Sequence, residues 1–261
     1  MSDSGNQGFP RTQPSVVRDR AYEIDEGLRA YMLRVYNYMA IGLAITGIAA
    51  YGGFMMAVTT DPGMSAAQLP NAIMLTSFGK MLFTSPLKLV VMLAPLGLVF
   101  YISAKISTMS VSGAQLAFWI FSALLGISLS SIFLVYTSTS ITRVFFITSA
   151  AFGALSLYGY TTKKDISGWG SFLFMGLIGI IIASVVNIFM ASSALAFAVS
   201  VIGVLVFAGL TAYDTQRIKE MYSQGDGSTA AGRKAIMGAL SLYLDFINMF
   251  IMLLQLFGDR R

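Results

Sequence analysis

The 261-residue chain has no cysteine and no histidine, and only 11% of its residues are charged. Without cysteine there is no disulfide framework, no thiol nucleophile and no thiolate metal site. Without histidine, most zinc sites and the usual general base are gone as well. Any chemistry is left to carboxylates, hydroxyls, amides and a few cations. Hydrophobic residues make up 56% of the chain and fall in long uncharged runs, the pattern of an integral membrane protein and not of a soluble domain with a large core. The runs are continuously apolar rather than alternating, which excludes a membrane β-barrel and predicts an all-α fold. The formal charge of +5 comes from basic residues scattered through loops, with no basic stripe interleaved with aromatics. Orientation in a membrane explains them, and nucleic acid is not an expected partner.

About 20 residues at 1.5 Å rise cross a hydrocarbon core of roughly 30 Å. On that measure the charge-free runs predict spans at about 35–58, 88–105, 113–136, 143–160, 169–190, 194–213 and 236–257. Residues 166 to 213 carry no charge, and a single helix of that length would reach roughly 72 Å. They must form two spans, parted at the polar break Ala191-Ser192-Ser193. Pro95 predicts a kink in the second span, and the stretch from Thr59 to Pro86 is expected to be a loop. Residues 1–20 are polar and are expected to be a disordered leader, with residues 21–261 forming one seven-helix membrane domain. The start lacks the apolar region of a cleavable signal, which with compact loops favours a bacterial cytoplasmic (inner) membrane.

Orientation follows from the cations. With a cytoplasmic N-terminus, one side holds Arg11, Arg18, Arg20, Arg29, Arg34, Lys105, Lys163, Lys164, Arg217, Lys219, Arg233 and Lys234, leaving Lys80, Lys88, Arg143, Arg260 and Arg261 opposite. The positive-inside rule therefore predicts N-terminus in and C-terminus out.

Asp245 lies inside the seventh run, about nine residues or roughly 13 Å from its cytoplasmic end. A charge at the middle of a spanning helix costs about 2.5 to 3.5 kcal/mol on insertion scales and is a functional candidate by default. Ser241, Asp245, Asn248, Met252 and Gln255 step by four, three, four and three, so they share one helical face. Lipid cannot satisfy that stripe, and the last helix is predicted to be central in the bundle, with Asp245 facing other helices or a water-filled cavity. Asn187 in the fifth span is a second buried amide placed to meet it. Asp214, at the cytoplasmic end of the sixth span, is on the same half of the membrane, and at helical spacing it can pair with Arg217.

The run from Gly238 to Gly258, centred on Ser241-Leu242-Tyr243-Leu244-Asp245-Phe246-Ile247-Asn248, resembles the last-helix signature of the Bax inhibitor family, the transmembrane Bax inhibitor motif proteins. Thr211-Ala212-Tyr213-Asp214-Thr215-Gln216 and Val186-Asn187-Ile188-Phe189 extend the similarity, which covers the chain from about Ala21 onward. The resemblance implies a calcium-permeable leak whose gate responds to pH, with no cofactor and with calcium as the permeant ion. In members of that kind two aspartates on the last two spans share a proton and close the cytoplasmic side. The matching positions are Asp214 and Asp245. Two carboxylates in a low-dielectric site cannot both ionise freely, and a transient calcium ion there would draw on carboxylate and amide oxygens such as those of Asp245, Asp214 and Asn248. Those relatives also carry an arginine in the second span that pairs with the acids. This chain has none, and Lys105 is the nearest substitute, a point charge without the bidentate fork of arginine.

Three function classes follow. The first is the pH-gated calcium leak, not an enzyme, with the lipid bilayer, calcium and protons as partners. The second is a regulatory protein acting on a membrane-embedded protease, as some bacterial relatives in the family are associated with doing. The third is a proton-coupled transporter or an intramembrane hydrolase, the latter disfavoured because Asp214 follows Thr-Ala-Tyr and not the Gly-x-Gly of aspartic intramembrane proteases.

Overall fold

The structure is a computed structural model that describes residues 14–69 and 72–261, with side chains described from residue 26 onward. Nine helices run in chain order through the described residues: α1 (Pro14–Ala57), α2 (Ser77–Thr84), α3 (Leu87–Lys105), α4 (Val111–Leu129), α5 (Ile132–Val135), α6 (Ser138–Thr161), α7 (Trp169–Met190), α8 (Ser193–Glu220) and α9 (Ser228–Phe257). Among the described residues, seven segments are long and apolar enough to cross a membrane: Glu26–Ala57 of α1, α3, α4 continued by α5, and α6 to α9. The fold is that of an all-α integral membrane protein. Of the leader expected over residues 1–20, residues 1–13 lie outside the described residues and the remainder joins α1, whose backbone is helical from Pro14.

Several boundaries differ from expectation, among them the start of the fourth span, which is Ser138 and not residue 143. The stretch from Thr59 to Pro86 is not a loop. It holds β1 (Val58–Thr59), β2 (Ala67–Gln68) and β3 (Met74–Leu75), paired antiparallel in the order β1-β3-β2, and then α2, which Thr76 caps by accepting from the Gly79 amide. The sixth span continues as helix for two turns beyond Tyr213, so Asp214 lies within α8 and not at its end. The last helix likewise begins at Ser228, because Ala230, Ala231 and Ala235 are good helix formers and Gly227 breaks the preceding turn.

Local chemistry explains the joins. Between α7 and α8, Ala191 takes a left-handed φ of 49° and Ser192 caps α8 by accepting from the Leu195 amide, which reverses the chain in three residues. Ser130 and Ser131 interrupt the third span between α4 and α5, with their hydroxyls donating back to the Ile127 and Ser128 carbonyls. α3 runs unbroken through Pro95. Proline has no N–H for the carbonyl four residues earlier, that of Val91, and the hydroxyl of Ser128 on α4 donates to that carbonyl instead.

α9 is the axis of the bundle. Two-thirds of its most apolar window, 67%, is buried inside the protein, against a third or less for every other span. It packs on α8, α1, α6 and α4. Tyr243 is fully buried on the side facing α1 and α4, edge-on to Phe118 and Phe121. The Tyr243 and Thr46 hydroxyls are 2.6 Å apart, and Thr46 lies 2.9 Å from the carbonyls of both Gly42 and Ser122. Thr46 has one proton and spends it on those carbonyls, so Tyr243 donates to Thr46. A second hydroxyl chain, Tyr36 to Ser156 to Thr215, joins α1, α6 and α8. α7 packs chiefly on α8, through the close pairs Gly170 and Tyr213, Gly176 and Val206, and Gly209 and Leu173. Exposed Ile48, Phe172, Ile188, Phe189 and Leu205 form the outer, lipid-facing surface.

The two ends of the bundle are tied differently. At the α8–α9 end, cations reach carbonyls at helix ends and in the α3–α4 turn: Lys219 to Tyr160, Lys234 to Met221, and Arg233 to Ser107 and Met109. At the other end the C-terminal tail clamps the α5–α6 junction through Arg143 and Asp259 and through backbone bonds from Thr137 and Arg261.

The Val91 carbonyl gives a test. Ser128→Ala is expected to cost about 1 kcal/mol by orphaning a part-buried acceptor, measured by reversible unfolding in mixed micelles. Adding Pro95→Ala, which restores the missing N–H, is expected to recover most of that loss. Simple additivity of the two changes would contradict the assignment.

Candidate functional site

The stripe on α9 divides. Ser241, Asp245 and Asn248 line a cavity of about 520 Å³ shared with Asp214 and Arg217 of α8 and with Gly170, Ser171 and Phe174 of α7. The register of α8 against α9 fixes the depth of the two acids. Gly238 packs against Ile218 and Gly203 against Met252, so counting along both helices puts Asp245 ~5 Å, about one turn, further from the α8–α9 loop than Asp214. Two carboxylates on adjacent antiparallel helices thus face one cavity, each within electrostatic reach of the other.

Asp245 is 4% exposed, and its Oδ2 is buried without a hydrogen-bond partner among the described residues. Its two polar neighbours on the same helical face do not hold it. The Asn248 amide donates to the Leu244 carbonyl, and no bond joins Ser241 to Asp245 among the described residues. Asp214 is half-buried and makes no hydrogen bond to Asp245 and no ion pair with Arg217, whose charge nonetheless reaches it across the same cavity. An ionised carboxylate sealed from water and from donors is strongly disfavoured. The cavity must therefore supply what the side chains do not: water, a cation or a proton. No group of three or more acidic residues able to hold a metal ion occurs among the described residues, so an ion here would meet two carboxylates, the Ser241 hydroxyl and the Asn248 amide oxygen.

Two expected members of the site are elsewhere. Lys105 stands exposed at the end of α3, which packs on α4, and it does not line the carboxylate cavity. It cannot take the place of the missing second-span arginine, because α3 lies at the periphery, whereas the acids face α7. Asn187 does not meet Asp245 either. Its Oδ1 accepts from the Ser192 amide at the α7–α8 turn, near the opposite end of the bundle. The side of the cavity formed by Gly170, Ser171 and Phe174 was not evident from charge patterning, and the only signal for it is the pair of small residues at the start of the fifth run. Outside the spans, Asp165 is a poor proton sensor. The hydroxyl and then the amide of Ser167 donate to it and hold its carboxyl below the usual carboxylate range, so it stays ionised at neutral pH.

Six apolar spans around a last helix with a polar face, and a carboxylate pair facing a cavity within the span, define a multi-pass membrane protein with an internal ionisable site. Comparison with known families makes this specific. Residues 28–261 match the family model described as inhibitor of apoptosis-promoting Bax1, and the chain belongs to the Bax inhibitor family. It is 47% identical over 256 residues to the inner membrane protein YbhL of Escherichia coli, covering 97% of this chain and 99% of YbhL. An uncharacterized Rickettsia prowazekii protein is also 47% identical, over 97% of this chain and 98% of its own length. A membrane protein of Streptococcus pyogenes is 33% identical over 90% of this chain and 94% of its own.

Because no side chain satisfies Asp245, its carboxylate adds nothing to the stability of the fold. Asp245→Asn is expected to leave the unfolding midpoint in mixed micelles unchanged or to raise it. A loss on the order of 3 kcal/mol, the usual cost of breaking a buried charge pair, would contradict an unpartnered carboxylate.

Proposed function

We propose that this protein is a calcium-permeable leak in a bacterial inner membrane, with its N-terminus in the cytoplasm and its C-terminus outside, gated by a proton shared between Asp214 and Asp245. The observation that carries this reading is the buried, unpartnered carboxylate of Asp245 on the same cavity as Asp214. With one proton between them the two acids form a charge-assisted hydrogen bond that draws α8 and α9 together and closes the cytoplasmic half of the path. The pair loses that bond when it takes a second proton, which removes the charge, or gives up the first, which leaves two anions in repulsion. Ionised, it attracts a hard cation, and two carboxylates with a hydroxyl and an amide make a weak transit site suited to leak and not to storage.

The orientation rests on the distribution of cations: Lys163, Lys164, Lys219, Arg233 and Lys234 all belong to the α8–α9 end of the bundle. The inner membrane is the one named for the YbhL relative. No residue of α3 supplies the arginine of pH-gated relatives, and Arg217 is the cation of the cavity. We assign it the task of steadying the singly protonated pair from the α8 side. It does so as an exposed charge, and the closed state is correspondingly shallow.

Calcium entry into liposomes, followed across acidic to alkaline pH, is expected to pass through a minimum at the pH where the pair holds one proton. Asp245→Asn and Asp214→Asn are each expected to abolish that minimum. Absence of flux at every pH, or a minimum that survives in both variants, contradicts the carboxylate gate. Removal of residues 1–20 is expected to leave flux intact. If removal instead abolishes an effect on a membrane protease while neither aspartate variant alters it, the regulatory function takes precedence.

A further inference from the structure

A second polar cavity, of about 590 Å³, lies between the same three helices at their opposite end, among Ser184 and Asn187 of α7, Ser193 and Ser200 of α8, and Gln255 of α9 together with Arg260. Ser200 donates to the Gln255 side chain across it at 2.7 Å. The order of residues is the same along every helix. On α7 the carboxylate cavity ends at Leu177 and the second cavity begins at Ser184, with Ile180 between. On α9 the corresponding residues are Asn248, Gln255 and, between them, Met252; on α8 they are Phe207, Ser200 and, between them, Val206.

Between the two cavities is a small apolar cluster, joined to the main core through Leu177, Leu210 and Met252. Ile180, Val199 and Val206 are buried together, with Leu177, Leu210 and Met252 packed against them. Leu177 and Leu210 also line the carboxylate cavity, and Val199 lines the other, so the cluster closes both. Met252 lies directly over Gly203: a Cβ at that position would be 3.0 Å from both its Cγ and its Sδ. Seven residues of α9, ~10 Å of helix, separate the last polar group of one cavity from the first of the other.

We propose that these two cavities are the inner and outer vestibules of one path between α7, α8 and α9, and that the Met252 cluster is the apolar constriction that interrupts it. The proposal rests on the leak function and locates its second barrier. A constriction lined by apolar side chains excludes water and with it hydrated ions. An unbranched methionine over a glycine is the part of such a seal that moves most easily. The outer vestibule has no carboxylate among its lining residues and one cation, Arg260, so it admits water and small ions without holding calcium. Calcium meets its ligands only after crossing Met252, at the carboxylate pair.

The chain lacks cysteine, so Gln255→Cys gives a single thiol in the outer vestibule. In sealed vesicles of defined orientation, a small membrane-impermeant cationic thiol reagent is expected to label that cysteine from the outside only. Adding Met252→Ser is expected to make it reactive from the cytoplasmic side and to raise calcium flux severalfold, whereas Met252→Leu keeps the seal. The constriction is overturned if Gln255→Cys is reactive from both sides with Met252 in place, or if Met252→Ser leaves cytoplasmic labelling absent in a protein that unfolds at the normal midpoint. Labelling does not depend on calcium: a wild-type protein that never conducts calcium contradicts the leak function, while side-specific labelling that changes with Met252 still establishes the barrier.

Discussion

A carboxylate must sit on the helix that the whole bundle packs around, and lipid cannot satisfy it. That constraint sorts the surface of α9. Its face toward α1 and α4 is built for permanence: Tyr243 is wedged between Phe118 and Phe121, with its hydroxyl fixed by Thr46. Its face toward α7 and α8 keeps Asp245 away from hydrocarbon but gives it no donor. One side of the central helix is therefore fully satisfied, and the other holds an electrostatic problem that only a proton, water or an ion resolves.

The rest of the architecture keeps that problem local. Cations on backbone carbonyls bind the α8–α9 end together, and the C-terminal tail clamps α5 to α6 at the other. Within this frame α7 packs chiefly on α8, with side chains seated closely over Gly170, Gly176 and Gly209. It forms one wall of both polar cavities.

The helices were legible in the sequence because hydrocarbon thickness leaves little freedom: charge-free runs set the seven spans, and Ala191-Ser192-Ser193 marked the turn between the fifth and sixth. The central position of α9 was legible for a related reason, since polar groups at steps of three and four cannot face lipid. Pairings between helices were not. Asn187 and Asp245 are both polar residues in the middle of apolar runs, yet they serve opposite ends of the bundle, because register depends on contacts such as Gly238 with Ile218 that hydropathy does not record. Lys105 is at the correct end of its helix but on the wrong side of the bundle, a matter of azimuth and not of depth. The stretch from Thr59 to Pro86 looked like a loop because two-residue strands have no periodicity to detect.

The proton shared by Asp214 and Asp245 is the claim on which the rest turns, and infrared difference spectroscopy addresses it directly. In the wild type, the carboxylic C=O band should appear and vanish with pH in step with calcium flux, and should move or disappear in both Asp214→Asn and Asp245→Asn. A band that titrates without regard to flux, or one that belongs to Asp245 alone and is indifferent to Asp214, would contradict a shared-proton gate.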